Sequence, residues 1–186
     1  MKRIAIAGII FILIFSIPAN TTYSYGKAEN GNSINGSNNG RILYVGGNGP
    51  NNYTSIQAAI NDANNGDTIF VYDNSSPYYE NLVIDKSVKL IGENRETTII
   101  DGMKKNNTVF IITSNISVYN FTIRNGTIGI GNSRWHENLE KITIKNNMIV
   151  DNIQEGISLW RSNHCIIYGN TVSNDTWGNM FIWLLF

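Results

Sequence analysis

Between residues 115 and 182 the chain repeats one short pattern three times. The copies begin Asn115-Ile-Ser-Val-Tyr-Asn-Phe-Thr-Ile-Arg-Asn, Leu139-Glu-Lys-Ile-Thr-Ile-Lys-Asn-Asn-Met-Ile-Val-Asp-Asn and Asn163-His-Cys-Ile-Ile-Tyr-Gly-Asn-Thr-Val-Ser-Asn. Each holds a β-branched run, an Asn, a second apolar run and a further Asn. Asn120, Asn147 and Asn170 recur at intervals of 27 and 23, and Asn125, Asn152 and Asn174 at 27 and 22. Self-similarity at such periods marks an architecture in which each unit buries its apolar face only against its neighbours.

Composition narrows the remaining choices. The chain has 186 residues, no formal net charge and only 15% charged residues. That balance offers no clustered basic face and so no case for nucleic acid. Asn occurs 29 times and favours turns and left-handed corners. The single cysteine, Cys165, excludes an internal disulfide framework and a Cys-based zinc site.

The N-terminus reads as a targeting segment. Met1-Lys-Arg supplies positive charge and residues 4–17 form an apolar run of 14, interrupted only by Gly8 and Ser16. That is short of the roughly 20 residues a membrane span needs. Residues 1–24 are therefore expected to be a cleaved signal peptide or an uncleaved signal anchor. In either case the rest of the chain is exported, and membrane contact is confined to an uncleaved N-terminal segment. Residues 25–40, polar and rich in Gly, Asn and Ser, are expected to form a disordered spacer.

Order is expected over 41–186. Residues 54–66 carry the helix pattern, with Ile56, Ala59, Ile60 and Ala63 on one face. Thr54 and Gln57 have capping-box spacing, and Gly66 suits the residue after the helix. Strands are expected at 41–45, 68–72, 81–84, 87–91, 97–100, 108–112, 116–118, 121–123, 142–144, 148–150, 156–160, 165–167 and from 180 onward. Runs this short, recurring one unit later, disfavour a hairpin-built sandwich. They predict an all-β parallel β-helix of roughly four to five coils. The helix would cap its open lower end. Asn120, Asn147, Asn170, Asn125, Asn152 and Asn174 would form the corner ladders, pairing amides that burial would otherwise orphan. The apolar ending, Trp177-Gly-Asn-Met-Phe-Ile-Trp-Leu-Leu-Phe, lacks a polar cap and suggests a domain truncated at its C-terminus.

Two further stretches carry a resemblance. Tyr53-Thr-Ser-Ile-Gln-Ala-Ala-Ile-Asn-Asp-Ala-Asn-Asn-Gly-Asp-Thr-Ile-Phe-Val-Tyr and Tyr79-Glu-Asn-Leu-Val-Ile-Asp-Lys-Ser-Val-Lys-Leu-Ile-Gly resemble the opening of right-handed parallel β-helix proteins of the pectin-lyase-like superfamily. The likeness is to its exported surface proteins, many of them archaeal, with carbohydrate-binding and sugar-hydrolase-type repeats, and to the NosD-type periplasmic copper proteins. It covers about 41–182. It implies the capping helix and a first coil opening at Gly-Asp-Thr-Ile. The catalytic Asp pair, Gln and Arg of the related methylesterases, and the acidic calcium cluster of pectate lyases, have no counterpart here.

Candidate chemistry is sparse. Glycoside hydrolysis needs paired carboxylates. Asp151 and Asp175 sit at nearly equivalent repeat positions but are read as turn residues. His164 and Cys165 are adjacent and so face opposite ways in a strand, Cys165 toward the core. Copper, which imidazole and thiolate suit, gains little from them, and neither a metal site nor a cofactor is expected. Arg134 and Arg161 lie one repeat apart, with Trp135 and Trp160 beside them, and form the candidate glycan-binding group. Sequons occur at Asn20, Asn35, Asn52, Asn74, Asn106, Asn115, Asn120, Asn125 and Asn174. Asn35 and Asn74 are the exposed glycosylation candidates, whereas Asn120 is expected to be buried on a ladder. The expected function is an exported cell-surface or secreted module, structural or carbohydrate-binding, meeting surface polysaccharide or other envelope proteins. The alternatives are a fragment of a polysaccharide lyase or esterase and a periplasmic copper accessory.

Overall fold

The computed structural model describes residues 40–133 and 138–183. The targeting segment, the spacer up to residue 39 and Asn35 lie outside the described residues. β1 (Ile42–Val45) leads through a loop to α1 (Ile56–Asp62). The chain then circles three sheets. β2 (Thr68–Val71), β3 (Tyr78–Tyr79) and β4 (Leu82–Ile84) make one coil, followed by β5 (Lys89–Gly92), β6 (Ile99–Asp101) and β7 (Val109–Ile111). β8 (Ser117–Tyr119), β9 (Thr122–Arg124) and β10 (Ile130–Asn132) form the next. β11 (Leu139–Glu140), β12 (Thr143–Lys145), β13 (Met148–Val150) and β14 (Glu155–Trp160) come after it, then β15 (Ser162–Asn163), β16 (Ile166–Tyr168), β17 (Thr171–Ser173) and β18 (Gly178–Trp183).

Sheet A is ordered β1-β2-β5-β8-β12-β16, sheet B β3-β6-β9-β13-β17 and sheet C β4-β7-β10-β14-β18, with β11 and β15 as a small fourth pair. Neighbours within each sheet run parallel. This is a parallel β-helix of about six turns, more than the four to five expected. Five of its strands, β3, β10, β11, β15 and β17, had no place in the expected set. All are two or three residues long; β10, β15 and β17 carry Gly, Asn, Ser or Thr where the apolar pattern looks for Ile and Val, while β3 and β11 are the pairs Tyr78–Tyr79 and Leu139–Glu140.

Inward positions stack into one core. Leu43, Ile69, Leu90, Val118 and Ile144 line sheet A, and Leu82, Val109, Ile130 and Ile157 line sheet C, all buried. α1 covers the lower end through buried Ile56, Ala59 and Ile60. At the upper end Ile167 and Val172 pack on the core only partly buried, while Ile144 and Ile149 one coil below are fully buried.

The helix is shorter than the expected 54–66, and its capping differs. Ser55 is the N-cap, its Oγ accepting from Ala58 N–H at 3.1 Å. Gln57 does not close a box with Thr54; its side chain pairs with the Val83 backbone through both amide atoms. The carboxylate comes from the next coil, where Glu80 Oε1 and Oε2 accept from Ile56 N–H (2.8 Å) and Gln57 N–H (2.9 Å). Two of the N–H groups that every helix start leaves unpaired are thereby satisfied.

Candidate functional site

Corners set which side chains face where. Three columns of left-handed residues climb the stack. Asn115, Lys141 and His164 precede sheet A, with φ of 60°, 56° and 53°. Asn120, Asn146 and Gly169 separate sheets A and B, and Asn125, Asp151 and Asn174 end sheet B. Asn and Gly tolerate this conformation best, which is why the repeats are rich in them.

The ladders lie one residue beyond those corners. Fully buried Asn147 donates to the Val118 carbonyl (3.0 Å) and accepts from Phe121 N–H (3.0 Å). Asn170 repeats this above, donating to Ile144 O (2.8 Å) and accepting from Asn147 N–H (2.9 Å) and Asn147 Nδ2 (3.1 Å). Below them the ladder position is held by buried Phe121, and Asn120 is a corner residue bonded to Asn146 (2.7 Å). Asn120 is therefore half-buried at a corner and not a buried ladder residue as expected.

The second ladder is Asn152 followed by Asp175. Asn152 accepts from Gly126 N–H (2.9 Å), and Asp175 Oδ1 accepts from Asn152 N–H (2.9 Å) and Nδ2 (3.0 Å). Asn125 and Asn174 are corners, so they too leave the expected ladder. Gly126 stands where a Cβ would come within 2.3 Å of Thr108 Oγ1, so no side chain fits at the level below. Asp151 and Asp175 do not stack: Asp151 is an exposed corner, and Asp175 is a half-buried residue with its Oδ2 enclosed.

Among the described residues three carboxylates have shifted acidity, and each is engaged in holding the fold. Burial alone would raise Asp67, but Asn64 and Arg41 N–H bonds and the Arg41 guanidinium (Nη2–Oδ2 3.0 Å) outweigh it and hold the carboxyl below its usual range. Asp101 is likewise held low against its burial, by Asn125 (2.9 Å), Met103 N–H (3.0 Å) and Arg124 (2.8 Å). Burial pushes Asp175 up, aided by the Asp151 charge, and the Asn152 donors only partly offset this.

The candidate glycan group is only partly described. Arg134 and Trp135 lie outside the described residues. The Trp160 ring packs on Phe181 with centroids 4.7 Å apart, and Arg161 is an exposed left-handed residue, φ 46°. Beside it the buried Asn132 amide pairs with the Trp160 backbone N–H (2.7 Å) and carbonyl (2.8 Å). Exposed His164 and partly buried Cys165 diverge, the thiol raised by burial. Among the described residues no three His, Cys, Asp or Glu side chains group as metal ligands. Asn74 is exposed and its Oδ1 accepts from Gly47 N–H (2.9 Å).

Two shallow clefts flank sheet C. One, about 400 Å³, is lined by Asn81, Leu82, Val83, Asn106, Asn107, Phe110 and Thr127. The other, about 430 Å³, is lined by Ser87, Ile112, Thr113, Ser114, Asn115, Asn138 and Leu139. Among the described residues neither lining contains a titratable side chain.

The outer face of sheet A has a different character. Its registers align Tyr44, Phe70, Ile91, Tyr119, Lys145 and Tyr168 in one outward row, and Ile42, Thr68, Lys89, Ser117, Thr143 and Ile166 in the next. Four rings, three isoleucines, three hydroxyl residues and two lysines share the face, and no carboxylate does. Tyr44 meets Phe70 edge-on at 6.1 Å and stacks with Tyr72 at 6.0 Å, while Lys145 Nζ lies 4.3 Å from the Tyr119 ring centre. Separated expected strands gave no hint of this row, because it appears only once registers are fixed.

The fold and these faces define a parallel β-helix repeat module. Comparisons with protein-family models, curated proteins and solved structures returned no match.

Proposed function

We propose that this chain is an exported β-helix module of the pectin-lyase-like kind that binds an extended, carboxylate-bearing polysaccharide without cleaving it. The reading rests chiefly on the outward row of sheet A. Tyr44 and Phe70 stand on adjacent strands, whereas Phe70, Tyr119 and Tyr168 stand on alternate strands, about 9.6 Å apart, close to the length of two sugars in an extended chain. Aromatic faces take the apolar faces of sugars, the neighbouring hydroxyls supply hydrogen bonds, and Lys89 and Lys145 supply charge against uronate groups. Support for export comes from residues 1–24, and support for a non-catalytic role from the structural engagement of Asp67, Asp101 and Asp175.

Affinity electrophoresis in gels containing polygalacturonate or a neutral β-glucan tests this. Retardation by the acidic polymer is expected. Tyr119→Ala or Lys145→Ala should weaken it about tenfold, equivalent to about 1.4 kcal/mol, with Trp160→Ala and Arg161→Ala reporting on the other candidate group. No retardation by either polymer would overturn the reading. Loss through Trp160 or Arg161 but not Tyr119 would move binding to that group.

A further inference from the structure

We propose that Asp175 is a proton-operated latch on the last coil, so that protonating its inward oxygen fastens residues 171–183 to the stack. The geometry comes from comparing the two ladders. Asn170 lies three residues beyond Ile167, which pairs with Ile144, and its amide donates to the Ile144 carbonyl at 2.8 Å. Asp175 holds the equivalent place on the second ladder, three residues beyond Val172, which pairs with Ile149. Both side chains accept through Oδ1 from the backbone and amide of the residue below. They differ at the second atom: Asn170 presents an N–H donor, whereas Asp175 presents an acceptor, Oδ2, which is buried without a hydrogen-bond partner.

An ionised carboxylate there leaves a charged oxygen buried and unpaired. A proton on Oδ2 removes that buried charge. No other bond changes. Burial, and then the Asp151 charge, favour the protonated form. The charged groups on the elements around it are Asp151 at the corner after β13, Glu155 at the start of β14, and Arg95. The Arg95 guanidinium reaches Thr171 Oγ1 (2.7 Å) at the start of β17. None of them hydrogen-bonds Asp175. Because its acidity is weakened by folding, its contribution is fully present below the unfolded value, about 4, and is lost as pH rises through the higher folded value.

The test is hydrogen exchange of the full chain, followed by mass spectrometry across pH 4.5–7.5 and corrected for intrinsic rates. In the wild type, protection of 171–183 should rise at least tenfold relative to 142–150 as pH falls. In Asp175→Asn it should be high and flat. Asp151→Asn should keep a slope, and Asn170→Asp should import one into 165–170. A wild type with no slope, or Asp175→Asn with an unchanged one, would overturn the proposal, as would a slope abolished by Asp151→Asn alone.

Discussion

Asn146 and Asn147 are neighbours of one type with unrelated duties. Asn146 turns the chain at φ 51°, and Asn147 is fully buried with its amide bonded to the coils on either side. Removing the Asn147 side chain strands the Phe121 N–H in the core, and a buried unpaired group costs about 1–3 kcal/mol. Asn147→Ala should therefore lower stability by about 3 kcal/mol. Asn120→Gly, which keeps the left-handed corner free of strain, should lower it by under about 1 kcal/mol. Urea unfolding with matched slopes measures both, and equal losses would return Asn120 to the ladder. This is also where the sequence was hardest to read. Corner and ladder both select Asn, so aligning the repeats on Asn120, Asn147 and Asn170 slips the first copy by one position. A slip of one exchanges inside for outside. The partner of Asn152 was hidden differently, since Asp175 holds a ladder place with a residue that reads as a turn.

At the scale of elements, α1 depends on residues that are remote in sequence. Its lower-end coverage was legible from the spacing of Ile56, Ala59, Ile60 and Ala63, because apolar periodicity is local. Glu80 as its carboxylate cap was not, since 23–24 residues separate it from the N–H groups it serves. Glu80→Ala should cost about 1 kcal/mol or more and raise exchange chiefly in residues 56–62, whereas Ser55→Ala should cost about 1 kcal/mol through Ala58 N–H alone. If Glu80→Ala leaves exchange in 56–62 unchanged, the cap contributes nothing. Asp67, which clamps Arg41 of the entering chain and Asn64 after the helix, is held low in pKa. The same holds for Asp101 at the end of β6. A depressed carboxylate stabilises above its unfolded value, about 4, and that contribution fades as pH falls through the folded value. Acid should accordingly loosen the Arg41–Asp67 clamp, visible as faster exchange in 41–45 below about pH 4, and Asp67→Asn should abolish that response.

For the molecule as a whole, the two ends are unlike. The lower end is covered by α1. At the upper rungs Ile167 and Val172 are only partly buried, with Ile166 and Tyr168 on the outer face of the same rung, and among the described residues each of β16, β17 and β18 is the last strand in its sheet. Such edges invite pairing with another strand. Sedimentation velocity should show self-association of the protein at micromolar concentration, reduced by Ile166→Lys together with Tyr168→Lys. A monomer at all concentrations would remove the edge as an interface. The parallel stack itself was legible, because repeats of short β-branched runs allow few other outcomes. The face of sheet A was not, because each repeat contributes only one residue to each of its rows.

The ladders also have a direction. Asn147 and Asn152 accept from N–H groups of the coil beneath, and Asn170 and Asp175 do the same one level up. Each coil thus arrives with the side chain that its predecessor lacks and finds that predecessor already in place. A chain emerging N-terminus first, from a ribosome or across a membrane, can add coils in the order of synthesis without waiting for its end. Growth from the α1 end would then need no long-range search, and the waiting intermediate would always expose the same kind of rim.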